Sequence, residues 1–201
     1  MQDPETARAR ADTYRLLGRL CLAEVDAGLL RALRAIPELA PSLEGEDKPL
    51  LAALRAEYAR LVLFNLPPYE SIYLDAQVML NTDATRSVVA AYQEGGYSPA
   101  GQVGAPDHVG LELAFLGHLA AVEATALEHA DADAAERSRM CQARFLVAHV
   151  GRWAPLWARS VARLARAPFY RALGEMVAEY VLYELDRAAQ VGPLPATGRG
   201  R

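Results

Sequence analysis

Asp107, His108 and Glu112 are the side chains in this sequence most suited to chemistry. Residues four apart share a helix face, so His108 and Glu112 could pair an imidazole with a carboxylate for proton transfer or metal binding. A metal requires a further convergent ligand, and His118, His129 and His149 stand at spacings that do not supply one. Ser71 could be a nucleophile with His108 as its base, but no glycine elbow or orienting acid marks it. A turn hydroxyl bonded to local backbone is its simpler role. Helix capping and a local hydrogen-bond network are likewise the ordinary role of the Asp-His-Glu set. No catalytic residue, cofactor or metal is expected. The alternative is a small helical metal-binding protein or hydrolase using Asp107, His108 and Glu112.

A second set of residues is informative for a different reason. Pro67-Pro68-Tyr69-Glu70-Ser71-Ile72-Tyr73-Leu74 begins with two residues that lack backbone donors, and the second pushes the first out of the helical region. Aromatic residues held rigid by proline lose little entropy on binding. Tyr69 and Tyr73 therefore read either as a loop folded back on the core or as the wall of a peptide groove. Glu70, Asp75 and Asp107 would place negative charge beside that wall, which favours a basic, hydrophobic peptide.

Helices must position these residues, because apolar side chains recur at helical spacing and no alternating β-branched run reads as a strand. The expected fold is all-α: one bundle of about eight helices around a buried central helix, over residues 1–190, with a disordered tail over 191–201. A first helix covers about residues 4 to 24 and a second about 27 to 36, stopped by Pro37. Residues 37 to 49, with three prolines and a glycine, read as an exposed connection. Leu50, Leu54, Tyr58 and Leu61 stripe a third helix that leads directly into the Pro-Pro loop. Thr82 or Asp83 caps a fourth, which Gly95-Gly96 ends. Pro106 opens the fifth, with Asp107 in its first turn. From Val109 to Leu127 this helix is apolar on most of its circumference, Val122 included, as suits one that others surround. A polar break at Asp131 to Ala135 precedes a helix holding Met140, Phe145, Leu146 and Val150. Another holds Trp153, Trp157, Val161 and Leu164, and Pro168 opens the last.

The net charge of −4 gives no basic footprint for nucleic acid or anionic lipid. An acidic, polar start and the lack of about 18 consecutive apolar residues predict a cytoplasmic protein, not a membrane protein. Cys21 and Cys141 lack metal-binding or redox spacing, so each reads as a small buried apolar residue. The long polar connection would permit helix exchange, leaving both a monomer and a helix-swapped homodimer open.

The order of these features resembles a known family. Tyr58 and Leu61 lead into Pro67-Pro68-Tyr69-Glu70-Ser71-Ile72-Tyr73-Leu74, a fourth helix follows, and Pro106-Asp107-His108 then opens a greasy helix with Glu112-Leu113-Ala114-Phe115-Leu116. This pattern, over about residues 10 to 188, is similar to that of the redox-enzyme maturation proteins. These are cytoplasmic chaperones of molybdenum oxidoreductases, typified by those of trimethylamine N-oxide reductase, dimethyl sulfoxide reductase and respiratory nitrate reductase. The resemblance implies a non-enzymatic role: binding the apo catalytic subunit, often at its twin-arginine signal or an equivalent N-terminal segment, until the molybdopterin cofactor is inserted and export proceeds. Carried over position by position, the peptide-binding residues fall on Tyr58, Leu61, Pro68, Tyr69, Asp107 and His108, with Glu70, Tyr73 and Glu112 beside them. Proline directly precedes Asp107, where many members have one residue between; this is closer to the branch serving nitrate reductases and related periplasmic dehydrogenases.

Overall fold

The computed structural model describes residues 3–75, 79, 82–99 and 104–190, and among them it contains nine α-helices and no strand. Asp3 caps α1 (Pro4–Leu22) by accepting the Thr6 amide at 2.8 Å, and Asp26 caps α2 (Ala27–Leu33) in the same way through Leu29. The connection after α2 is not simply exposed. Ala40–Leu43 forms a 3-10 turn against α9, and Leu39 and Leu43 are fully buried, because two leucines four apart can anchor an otherwise polar segment. α3 (Asp47–Tyr58) starts ahead of Pro49, which its first turn tolerates.

α3 does not run directly into the Pro-Pro loop. It widens into a π-helical segment, Ala59–Asn65, closed by the Leu66 amide bonding to Leu61 O at 2.8 Å. The winding stops there because the next two residues have no N–H to continue it. α4 (Glu70–Leu74) is short, and α5 (Asp83–Glu94) ends where Gly96 takes φ +64° and the Tyr97 amide returns to Tyr92 O. Then come α6 (Val109–Glu128), α7 (Ala132–Ala148), α8 (Val150–Leu164) and α9 (Pro168–Ala189). The polar break before α7 is shorter than expected, since Asp131 is already its cap. The expected tail over 191–201 lies outside the described residues.

α6 is the central helix, packed on α1, α7 and α8. Val109, Leu111, Leu113, Phe115, Leu116, Leu119 and Ala120 are all buried; Val122 is exposed, so the apolar circumference breaks there. This helix alone among the described residues is long and apolar enough to cross a membrane, and most of it lies inside the bundle. Glycines let α1 and α6 approach backbone to backbone. A Cβ on Gly18 would meet Gly110 O at 2.8 Å, one on Gly110 would meet Gly18 O at 2.7 Å, and one on Gly117 would meet Ala11 O at 3.1 Å. No side chain could yield at the first two contacts, because the obstacle is backbone.

A buried ionic network ties α1 to α6, α7 and α9. The Arg10 guanidinium donates to Glu184 at 2.9 to 3.1 Å, to Glu123 at 3.0 Å and to Gln142, while Tyr14 Oη donates to Glu184 at 3.0 Å. Burial works against the Glu184 charge, but the Arg10 contacts prevail and hold its carboxyl below the usual range.

The glycine contact yields a direct test. Gly18→Ala should cost about 1–3 kcal/mol by forcing α1 off α6, lowering the thermal midpoint by several degrees in circular dichroism at 222 nm.

Candidate functional site

The Pro-Pro pair and the start of α6 each lack something that the other supplies. Neither proline can donate a backbone hydrogen bond, and the first amides of a helix have no intrahelical acceptor. Pro68 O accepts the Val109 amide at 2.8 Å, Asp107 O accepts the Glu70 amide at 2.9 Å, and Asp107 Oδ2 accepts the Ser71 amide at 2.9 Å. Tyr69 and His108 consequently pair antiparallel, their rings edge to face with centroids 5.2 Å apart. α6 thus begins at Val109 and not at Pro106, and Asp107 lies ahead of its first turn because its carboxylate is committed to the loop. His108 is the cap: its Nδ1 accepts the Gly110 amide at 3.0 Å, which requires that nitrogen to be unprotonated. Burial pushes the imidazole down to about 4, against the opposing pull of Asp107.

Behind this clip lies a knot of buried acid. Glu70 is 2% exposed, and Asp107 and Glu112 are fully buried. Both oxygens of Glu70 accept from His149 Nδ1 at 3.0 Å, and Glu112 Oε2 accepts from Trp153 Nε1 at 3.3 Å. His149 can reach α4 because it occupies the corner between α7 and α8, at φ −125° and ψ −97°, where neither helix constrains it. Its Nε2 lies 3.4 Å from Ser87 Oγ of α5, at the edge of a cavity of about 240 Å³ also lined by Phe115 and Phe145. Burial, and then the adjoining Glu70 charge, push the Glu112 carboxyl well above the usual carboxylate range. Glu112 Oε1 meets no donor, and a carboxyl that keeps its proton becomes a donor itself, with Glu70 next to it as acceptor. Ser71 Oγ and Asp107 Oδ1 are also buried without a partner, so the floor beneath the loop keeps unused polar atoms.

The structure gathers Pro68, Tyr69, Glu70, Asp107, His108 and Glu112 around the clip. Tyr73 joins them half-buried, stacked on Trp153 at 5.2 Å. Tyr58 and Leu61 lie in the core instead, Leu61 fully buried and Tyr58 Oη donating to Cys21 O at 3.1 Å. Glu70 and Asp107 do not present charge along an open wall; His149 and the loop amides consume it. Asp107, His108 and Glu112 do not converge as a catalytic set either, since each faces a different partner. Among the described residues no group of three or more His, Cys, Asp or Glu side chains is placed to hold a metal. Cys21 is buried, its thiol pushed up to about 12 by burial, whereas Cys141 is half-buried beside Arg144 Nη2 at 3.2 Å.

His149 and Trp153 are the members that sequence reasoning missed. They come to the cluster from 79 and 41 residues away, and no local spacing marks them.

The titration of the site has opposite signs on its two sides. The fold holds His108 neutral, so its contribution is complete above pH 6.5 and is lost as the pH falls through about 4, on the order of 3 kcal/mol in all. Glu112 keeps its proton in the fold, so its contribution is lost as the pH rises beyond the carboxylate range. Urea melts across pH should show Glu112→Gln within about 1 kcal/mol of the parent at pH 5 and gaining on it at higher pH. Glu112→Ala, which strips Trp153 of its acceptor, should cost about 2–3 kcal/mol.

A comparison with the curated proteins finds no match. A family profile described as the nitrate reductase delta subunit matches residues 23–159, about two thirds of the chain, from the turn after α1 through most of α8. The matched stretch contains the whole clip, including His149 and Trp153. The chain belongs to the nitrate reductase delta subunit family, a family of chaperones for molybdenum enzymes.

Proposed function

We propose that this protein is a cytoplasmic, client-specific chaperone. It binds the apo catalytic subunit of a molybdenum oxidoreductase at an N-terminal or twin-arginine signal segment, holding that subunit for cofactor insertion, assembly and export. Family membership supports the client class, and the observation that carries the peptide reading is the clip between the Pro-Pro loop and α6. The clip holds Tyr69 in a fixed backbone, half-buried, with exposed Pro67 beside it and half-buried Tyr73 nearby. Rings held this way offer contact area at low entropic cost. Ser71 Oγ and Asp107 Oδ1 make no hydrogen bond to the described residues, so spare acceptor capacity lies beneath the loop.

In this reading Tyr69 and Tyr73 form the rim with Pro67, and the buried Pro68, Glu70, Asp107, His108 and Glu112 support it from below. Tyr58 and Leu61 anchor the π-helical segment that delivers the loop. The acidic groups have no free reacting geometry, which favours binding over catalysis.

Calorimetry with a synthetic N-terminal segment of the oxidoreductase subunit encoded beside this chain tests the assignment. Tyr69→Ala should weaken binding about tenfold or more with helical circular dichroism intact. Asp107→Ala should weaken it and also lower the thermal midpoint, because it unclips the loop. Unchanged affinity in Tyr69→Ala would move the binding site elsewhere. Failure of any molybdenum-enzyme subunit to co-purify would sink the functional reading itself.

A further inference from the structure

The net charge of the chain conceals a strongly basic segment. Between Glu136 and Glu175 there is no Asp or Glu, and the same stretch carries eight arginines in a chain whose net charge is −4. Three of them are engaged: Arg139 with Glu136, Arg144 with Glu94, and Arg171 with Ala165 O. The side chains of Arg152, Arg159, Arg163 and Arg166 make no hydrogen bond or ion pair with the described residues, and all four are exposed. Glu57 reaches this segment only through the Arg166 and Ala167 backbone amides, and its charge is paired with Arg60.

The placement of these arginines follows from the amphipathic winding of α8. Trp153, Trp157 and Val161 face inward, so Arg152, Leu156, Arg159 and Arg163, at spacings of four, three and four, share the outward face. Leu156 is 64% exposed on that face. The π-helical segment lies alongside the same helix: Arg60 Nη2 donates to Leu164 O at 2.8 Å, and Trp157 Nε1 donates to Leu66 O at 3.1 Å. Between those two ties the segment carries Leu63 and Phe64, 62% and 80% exposed. A Phe that exposed gains little from the fold, and it lies in the π-helical segment beside Leu63.

We propose that this face docks the protein on an anionic lipid bilayer. The arginines contact headgroup phosphates, for which the guanidinium fork is matched, while Leu156, Leu63 and Phe64 enter the boundary of the acyl region. Charge selects an anionic partner, and shape selects a planar one. The face is an outward helix flank, whereas the cavities along α5, α6 and α7 are lined by none of these residues. The four arginines would repel a basic signal segment, which distinguishes this face in charge from the Tyr69 rim. The docking does not depend on the client reading, and vesicle and peptide measurements fail independently.

Sedimentation of the full chain with vesicles tests the proposal, comparing phosphatidylcholine containing phosphatidylglycerol with phosphatidylcholine alone. The protein is expected on the anionic vesicles only, released by raised ionic strength. Each arginine near an anionic surface contributes about a fivefold factor, so Arg159→Gln with Arg163→Gln should weaken partitioning about 25-fold, and the corresponding lysine pair should retain most of it. Phe64→Ser should weaken it further without removing the salt dependence. Arg137→Gln removes one exposed charge from the groove between α6 and α7 and should stay within about twofold of the parent. Absence of anionic vesicle binding overturns the proposal, as does an Arg137→Gln loss as large as that of Arg159→Gln alone. Binding to soluble polyglutamate without binding to vesicles also overturns it, in favour of an acidic protein partner.

Discussion

A proline pair and a helix N-terminus are both poor in satisfied backbone groups, and here each completes the other. The carbonyls of Pro68 and Asp107 take the amides of Val109 and Glu70 across the contact, and the Asp107 side chain closes the third link. Without that exchange the loop would have no reason to lie on α6, and the first turn of the most buried helix would keep unsatisfied donors inside the protein. The position of Tyr69, the cap at His108 and the descent of Glu70 into the core all follow from it.

The bundle contains two buried polar groups built on opposite principles. Around Arg10, a permanent cation faces Glu123 and Glu184, binds α1 to α6 and α9 through them, and holds the Glu184 carboxyl below its usual range. Among the described residues, the partners around Glu112 are carboxyls, an imidazole and an indole, and the arrangement depends on where protons sit. The first knot is suited to permanence. The second lies beneath the loop and is suited to adjustment.

Much of this was legible in the sequence, for identifiable reasons. Helical periodicity marked the elements, and the all-round apolarity of Val109 to Leu127 marked the central helix, because both are local signals. The Pro-Pro-Tyr and Asp-His stretches were recognisable as a pair, although spacing could not say that they touch. Where the reading missed, the cause was long-range. Pro106 is a suitable first residue of a helix, but the loop claims Asp107 and moves the start to Val109. Leu39 and Leu43 sit in a segment with loop composition, and only docking against α9 reveals that they are core. The π-helical winding leaves no mark in residue type, since one additional residue in a turn looks like continued helix. His149 was set aside as a ligand because its distance along the chain says nothing about a corner that turns its ring toward α4.

That corner has a mechanical consequence. His149 is the pivot from which α8 hangs, and its ring is gripped by Glu70 at the base of the loop. Trp153, one turn further along the same helix, is pinned between Tyr73 and Glu112. α4 and α8 therefore behave as two arms of a bell-crank. Any load that lifts α4 must either tear the imidazole from its carboxylate or swing the first turn of α8, and with it the flank that this helix presents to its surroundings.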